Sequence, residues 1–269
     1  MSLALPADTR IGSVTLAVSS LERSLRFYEG TLGWSRLRRE RSVAVLSADG
    51  RTPLIELHEH PGAVRRPHRS AGLFHVAILV PSRAALGRSL RRLAMEGWPL
   101  SGAADHLVSE ALYLDDPDGL GLEIYRDRPR ETWRVADGQV VMATDPLDLD
   151  GVAREAGADA PWQGLEAATV IGHVHLQVAS LSAAEAFYCG DVGFAPTLRR
   201  YPGALFVAAG GYHHHLGLNT WAGVGVAPPP ADAVGLRRFT VRGSGLELRE
   251  VADAATGIVV DLGPSGGGV

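Results

Sequence analysis

Two stretches of the chain carry one pattern of apolar and polar positions. From Ile11 to Trp34, and again from Ile171 to Phe194, the order is Ile-Gly, an alternating run, a Ser-Leu pair, a segment with Phe-Tyr, then Gly and an aromatic. In the first copy Val14, Leu16 and Val18 alternate with Thr15 and Ala17, which predicts a strand with two distinguishable faces. Val174, Leu176 and Val178 repeat it. Behind the strands, Leu21, Leu25, Tyr28 and Leu32, and then Leu181, Tyr188 and Val192, fall at helical spacing. Gly33 and Gly193 suit the ends of those helices. A repeat of this kind governs the reading of the whole chain.

A related unit begins at Gly72. It has a strand from His75 to Val80, a helix carrying Leu86, Leu90 and Leu93 behind a Pro81-Ser82 start, and strands over Ala111–Leu114 and Leu122–Tyr125. A fourth unit, from Gly235, keeps strands at Phe239–Val241 and Ile258–Val260 but leaves little room for a helix, so it is expected to be a shortened copy. Between units two and three a linker holds a short helix near Pro146–Ala156, with Asp145 as cap and Pro146 in the first turn. Pro-rich loops such as Ala227–Pro230 separate units three and four.

At 269 residues the chain is long enough for two bodies that each bury a core. A net charge of −4 with 21% charged residues shows no basic stripe for nucleic acid, which leaves small molecules or copies of itself as partners. Cys189 is the only cysteine, so no internal disulfide forms, and a reducing, cytoplasmic setting is the expectation. The opening residues lack a signal-like pattern and no apolar run approaches a membrane span, so no membrane partner is expected.

The most specific spacing in the chain is His106, five residues, Leu112-Tyr113, two residues, Asp116-Pro117-Asp118-Gly119, three residues, Glu123. Here the sequence resembles the extradiol ring-cleaving dioxygenases of the vicinal oxygen chelate superfamily, which also holds glyoxalase I and bleomycin-resistance proteins; Ala104 departs from the usual residue choice. The resemblance implies an α+β fold of four βαβββ modules in two paired-module domains. In chain order these are residues 9–128 (modules one and two) and 169–264 (modules three and four), with residues 129–168 as linker and 265–269 as a flexible tail.

The same resemblance implies a metal set of His75, His173 and Glu123. Two imidazoles and a carboxylate on one face of an ion leave other positions open, as in non-haem Fe(II) oxygenases, with Mn(II) the alternative ion. Taken singly, either histidine also suits a hydrogen-bonded core or edge position, and Glu123 the solvent face of a strand. His175 shares the strand face of His173 and is the alternative ligand. Unit one has Ser13 where the first-strand histidine falls; unit four has Arg238 there, and Val259 near the glutamate position. Neither can complete a set, so unit two is expected to pack on unit three, leaving one and four as a structural pair, within a chain or across a dimer.

In Tyr212-His213-His214-His215 the resemblance lands on His214 as the acid/base and oxygen-stabilising group. Strand alternation instead puts His213 and His215 on the face of Gly217, the counterpart of Glu123. The triplet also suits metal affinity without catalysis. His106 and Tyr113 resemble the pair that hydrogen-bonds the substrate hydroxyl and bound oxygen. Asp116 to Gly119 is turn chemistry that aims Glu123. Together these imply an Fe(II)-dependent extradiol dioxygenase acting on a catechol-type aromatic diol with O2. Glyoxalase-like lyase or isomerase chemistry and non-catalytic ligand binding are the rivals on this scaffold.

Overall fold

The computed structural model describes residues 4–157 and 162–265. Unit one supplies β1 (Arg10–Val18), α1 (Leu21–Leu25), β2 (Ser35–Glu40), β3 (Val43–Ser47) and β4 (Ile55–Glu59). Unit two supplies β5 (Gly72–Leu79), α2 (Arg83–Met95), β6 (Gly102–Asp105), β7 (Ser109–Asp115) and β8 (Gly121–Asp127). The linker carries a two-strand hairpin, β9 (Val135–Ala136) and β10 (Gln139–Val140), and helix α3 (Leu149–Glu155). Unit three follows with β11 (Val170–Gln177), α4 (Leu181–Glu185), β12 (Ala195–Leu198), β13 (Ala204–Ala208) and β14 (Leu216–Asn219). Unit four has only β15 (Gly235–Gly243), β16 (Arg249–Asp253) and β17 (Ile258–Pro264), and so is the shortened copy. Helix α3 is capped by Asp148, not Asp145: its carboxylate accepts from Gly151 N at 2.8 Å, three residues on, as a cap requires. The outermost tail, 266–269, lies outside the described residues.

The fold is α+β, with two curled sheets and few helices. One sheet runs β12-β13-β14-β11-β5-β8-β7-β6 and joins units three and two; the other runs β16-β17-β15-β1-β4-β3-β2 and joins units four and one. This is the pairing that the distribution of ligand residues required. At each junction the first strands of two units lie antiparallel, β5 beside β11 and β15 beside β1. Each sheet thus takes one unit from either side of the linker. The repeated Ile-Gly is a bulge at both junctions: register slips between Ile171 and His173, and between Ile11 and Val14. Gly172 is obligatory there, since a Cβ on it would fall 1.8 Å from the Tyr125 hydroxyl.

The Phe-Tyr repeat has a matching structural meaning. Helices α1 and α4 widen into π-helical turns over Arg26–Thr31 and Ala186–Val192, a change that helical spacing alone does not predict. Each turn buries a tyrosine against the following unit. Tyr28 donates to Asp116 at 3.2 Å, in the turn before β8, and Tyr188 donates to Asp253 at 3.0 Å, the last residue of β16 before the turn into β17. In unit two that turn is held further by Asp118, which accepts from Ser19 N at 2.9 Å and pairs with Arg23. Unit one therefore buttresses the turn that leads into β8.

Registers also correct one sequence assignment. Ala77 lies beside Glu123 in the parallel pair β5–β8, and the equivalent pair in the other sheet is Thr240 beside Asp261. The counterpart of Glu123 in unit four is thus Asp261; Val259 is two residues short of it, because the strand starts later than a sequence offset suggests. Arg238 stands at the position of His75 and bridges Asp261 and Glu250. Ser13 and Arg238 still deny that sheet a histidine pair.

Candidate metal centre

The first strands of units two and three meet at the centre of the larger sheet, and their alternation sends His75, His173 and His175 to one face. Glu123 joins them from β8, beside Ala77. The ligand atoms of His75, His173 and Glu123 all lie within 4.8 Å of one another, and the three residues are 5%, 2% and 2% exposed. His173 Nε2 is 3.0 Å from Glu123 Oε2. His75 Nε2 comes within 2.9 Å of the same oxygen without hydrogen-bond alignment, so a buried nitrogen is left with no partner it points at. Two imidazole nitrogens converging on one carboxylate oxygen, one of them orphaned, fit a divalent cation of the kind that His₂-carboxylate sets hold.

The electrostatics agree with that donor set. Burial opposes ionisation of Glu123, but His173 and His75 outweigh it and hold the carboxyl well below its usual range. Burial pushes the His173 imidazole down to about 4, against the pull of Glu123. An ionised carboxylate and a neutral imidazole are the protonation states a metal needs.

His175 takes a different part. Its Nε2 accepts from Asn219 Nδ2 at 3.1 Å, and its ring packs over Gly217, where a Cβ would fall 2.7 Å from Cγ. Gly217 is the register partner of His175, as Glu123 is of Ala77, so bulk and space are exchanged between the two halves of the sheet.

A cavity of about 360 Å³ opens over these groups, lined also by His106, Tyr113 and His214. His106 Nδ1 donates to the Ala143 carbonyl at 2.6 Å, which leaves Nε2 to accept from the Tyr113 hydroxyl at 2.6 Å. Among the three adjacent histidines, the one facing the cavity is His214. The triplet precedes β14, which begins at Leu216, so strand alternation does not govern it. His213 turns inward to Asp127 at 2.9 Å, and His215 Nδ1 accepts from Ala209 N at 3.2 Å. Burial holds the His214 imidazole well below the usual range.

Several contributors escaped the sequence reading. The linker supplies Met142 to the wall, the Ala143 carbonyl to His106, and Thr144 to a 2.6 Å hydrogen bond with Tyr201 across the mouth. Phe206 and Trp221 of unit three complete an apolar wall. Asp127 carried a legible signal: Glu123, Tyr125 and Asp127 alternate along β8 and share its face.

Comparison with known proteins identifies the family and the fold. Residues 10–124 match the Glyoxalase/Bleomycin resistance protein/Dioxygenase superfamily. A catechol-2,3-dioxygenase of Bacillus subtilis (strain 168) is 50% identical over 238 residues, covering 87% of this chain and 82% of that protein. The chain belongs to this superfamily. Solved structures of superfamily type agree in fold. A Bacillus subtilis protein proposed to be a dioxygenase superposes with a TM-score of 0.65 at 14% identity, covering 100% of this chain and 87% of that one. Glyoxalase I from Zea mays gives 0.56 at 15% identity, over 95% and 92% of the two chains. No helix among the described residues is long and apolar enough to cross a membrane.

Proposed function

We propose that this superfamily member is an Fe(II)-dependent extradiol dioxygenase that opens a catechol-type ring beside its two hydroxyls, using O2. The observation that carries the reading is the convergence of His75, His173 and Glu123 at the base of an apolar cavity, with Gly217 at the register position equivalent to Glu123 in the other half, so that half adds no second carboxylate. The name of the 50% identical relative supports the same chemistry. A bound Fe(II) would supply a Lewis-acidic centre with open positions for the diol and oxygen; Mn(II) prefers the same donors.

The chain's own residues do the rest. Phe74, Phe206 and Trp221 clasp a flat ring and keep water from it. His214 faces the cavity as a neutral imidazole, suited to take the proton of a substrate hydroxyl. The Tyr113 hydroxyl, oriented by His106, stands on the strand beside Glu123 and offers a polar contact to oxygen atoms held there.

The test is anaerobic loading with Fe(II), elemental analysis, and then oxygen uptake with a panel of catechols. Coupled oxygen consumption and ring-cleavage absorbance are expected. Isomerisation of a hemithioacetal with Ni(II) or Zn(II), and no turnover of catechols, would favour the glyoxalase-like rival and overturn the proposal.

A further inference from the structure

Behind the cavity, three side chains form a hydrogen-bonded line. The Asp127 carboxylate, about a quarter exposed at the end of β8, accepts from His213 Nε2 at 2.9 Å and from the Tyr212 hydroxyl at 3.0 Å. His213 is fully buried, and its Nδ1 lies 2.8 Å from Nδ1 of His214. His214 Nε2 makes no hydrogen bond among the described residues, and its ring lines the cavity with its centroid 4.2 Å from that of His173. The Trp133 ring packs edge-to-face against His213, 5.1 Å away between centroids.

Proton counting along this line has one consistent outcome for neutral rings. An ionised carboxylate has no proton to give, so His213 Nε2 must carry the hydrogen it shares with Asp127. A neutral His213 then offers only the lone pair of Nδ1, so the hydrogen between the rings belongs to His214 Nδ1. His214 is left with a bare Nε2. We infer that Asp127 and His213 are positioning residues that set the tautomer of His214, so that the nitrogen facing the cavity is a proton acceptor and not a donor. In the proposed reaction, on which only this role rests, the substrate O–H bond breaks and its proton passes to Nε2.

The inference is tested by ring-nitrogen NMR of ¹⁵N-histidine-labelled full-length protein, metal-free and with Zn(II) as a diamagnetic ion. His214 is assigned by its loss in His214→Gln. In the parent the proton is expected on Nδ1 of His214, with Nε2 bare. His213→Phe removes the acceptor of that proton, and an N–H facing an apolar ring is unsatisfied, so the proton is expected to move to Nε2. Asp127→Ala is expected to shift it in the same direction. With Fe(II), both variants are expected to lower kcat by roughly 10²-fold or more while KM for the catechol changes little. A parent spectrum with the proton on Nε2 overturns the inference, and this needs no variant to fold. An unshifted tautomer in a folded His213→Phe protein overturns it as well. Failure of every catechol to support oxygen uptake would instead retire the dioxygenase reading and leave the tautomer result standing.

Discussion

His175 occupies the space that Gly217 leaves open on the adjacent strand, its ring atoms 2.7 to 2.8 Å from where a Cβ of residue 217 would sit. The ring is anchored by Asn219 and walled by Phe206 and Trp221, so it cannot swing aside cheaply. Gly217→Ala is therefore expected to destabilise the fold by about 1–3 kcal/mol, the usual cost of overpacking. Gly190→Ala, where nothing lies within 4 Å, is the control and is expected to stay within about 0.5 kcal/mol of the parent. Urea unfolding of the two variants checks this.

Metal content separates the two histidines that share the β11 face. Losing an outer-shell partner of a metal site weakens affinity by roughly 10 to 100-fold, so losing a ligand should exceed that. Glu123→Gln and His173→Ala are expected to lose bound metal and activity together. His175→Asn is expected to keep its metal, since the native ring is directed to Asn219. Elemental analysis after gentle purification decides between them.

Asp116 makes stability depend on pH. Its burial raises its pKa to about 7, against hydrogen bonds from Leu120 N and Asp118 N that favour the ionised form. The native state then holds a proton that the unfolded chain has released at pH values between about 4 and 7. Its contribution is full below the unfolded pKa and is lost as pH rises through the folded one. Relative to Asp116→Asn, which mimics the protonated group, the parent is expected to lose stability across that window. Urea midpoints at a series of pH values measure the difference; a constant gap would contradict the assignment.

Among the described residues, the cavity wall contains Asp115 and Glu123 but no arginine. A catechol with a carboxylate side chain would bury that charge with no cationic partner, a loss of about 1–3 kcal/mol or more. Unsubstituted or alkyl catechols are expected to exceed carboxylated ones by roughly 10-fold to 100-fold in kcat/KM. Competitive oxygen-uptake assays test the ratio, and equal rates would point to a different seat for the substituent.

Tyr113→Phe is expected to leave metal content unchanged while lowering kcat by roughly 10²-fold to 10³-fold, the range for loss of one positioned donor. His106→Gln should act in the same direction through the tyrosine it orients. Single-turnover kinetics with a fixed catechol compares the two.

How much of this was legible in the sequence depended on whether a feature repeats locally or arises from distance. The strands around Val14 and Val174 and the shortened fourth unit followed from periodicity and spacing. The residues that converge at 75, 123 and 173 came from a fixed spacing read by resemblance. The error at Val259 came from counting along the chain where parallel register decides, and Asp261 was passed over. The cap at Asp148 was missed because Asp145-Pro146 offers an equally good start signal nearby. His213, His214 and His215 could not be told apart while the start of β14 was unknown. Ala143 and Thr144 carry no local signal at all, since their part in the cavity exists only once the linker folds back across it.

The Arg238–Asp261 bridge sits where the other sheet gathers histidines around Glu123. One half of the molecule has its positive charge built into the polypeptide, whereas on the proposed reading its twin would take one from the surroundings. On the proposed reading, loss of metal would empty only the sheet that holds His75, His173 and Glu123, and its partner would stand as an ion-independent brace.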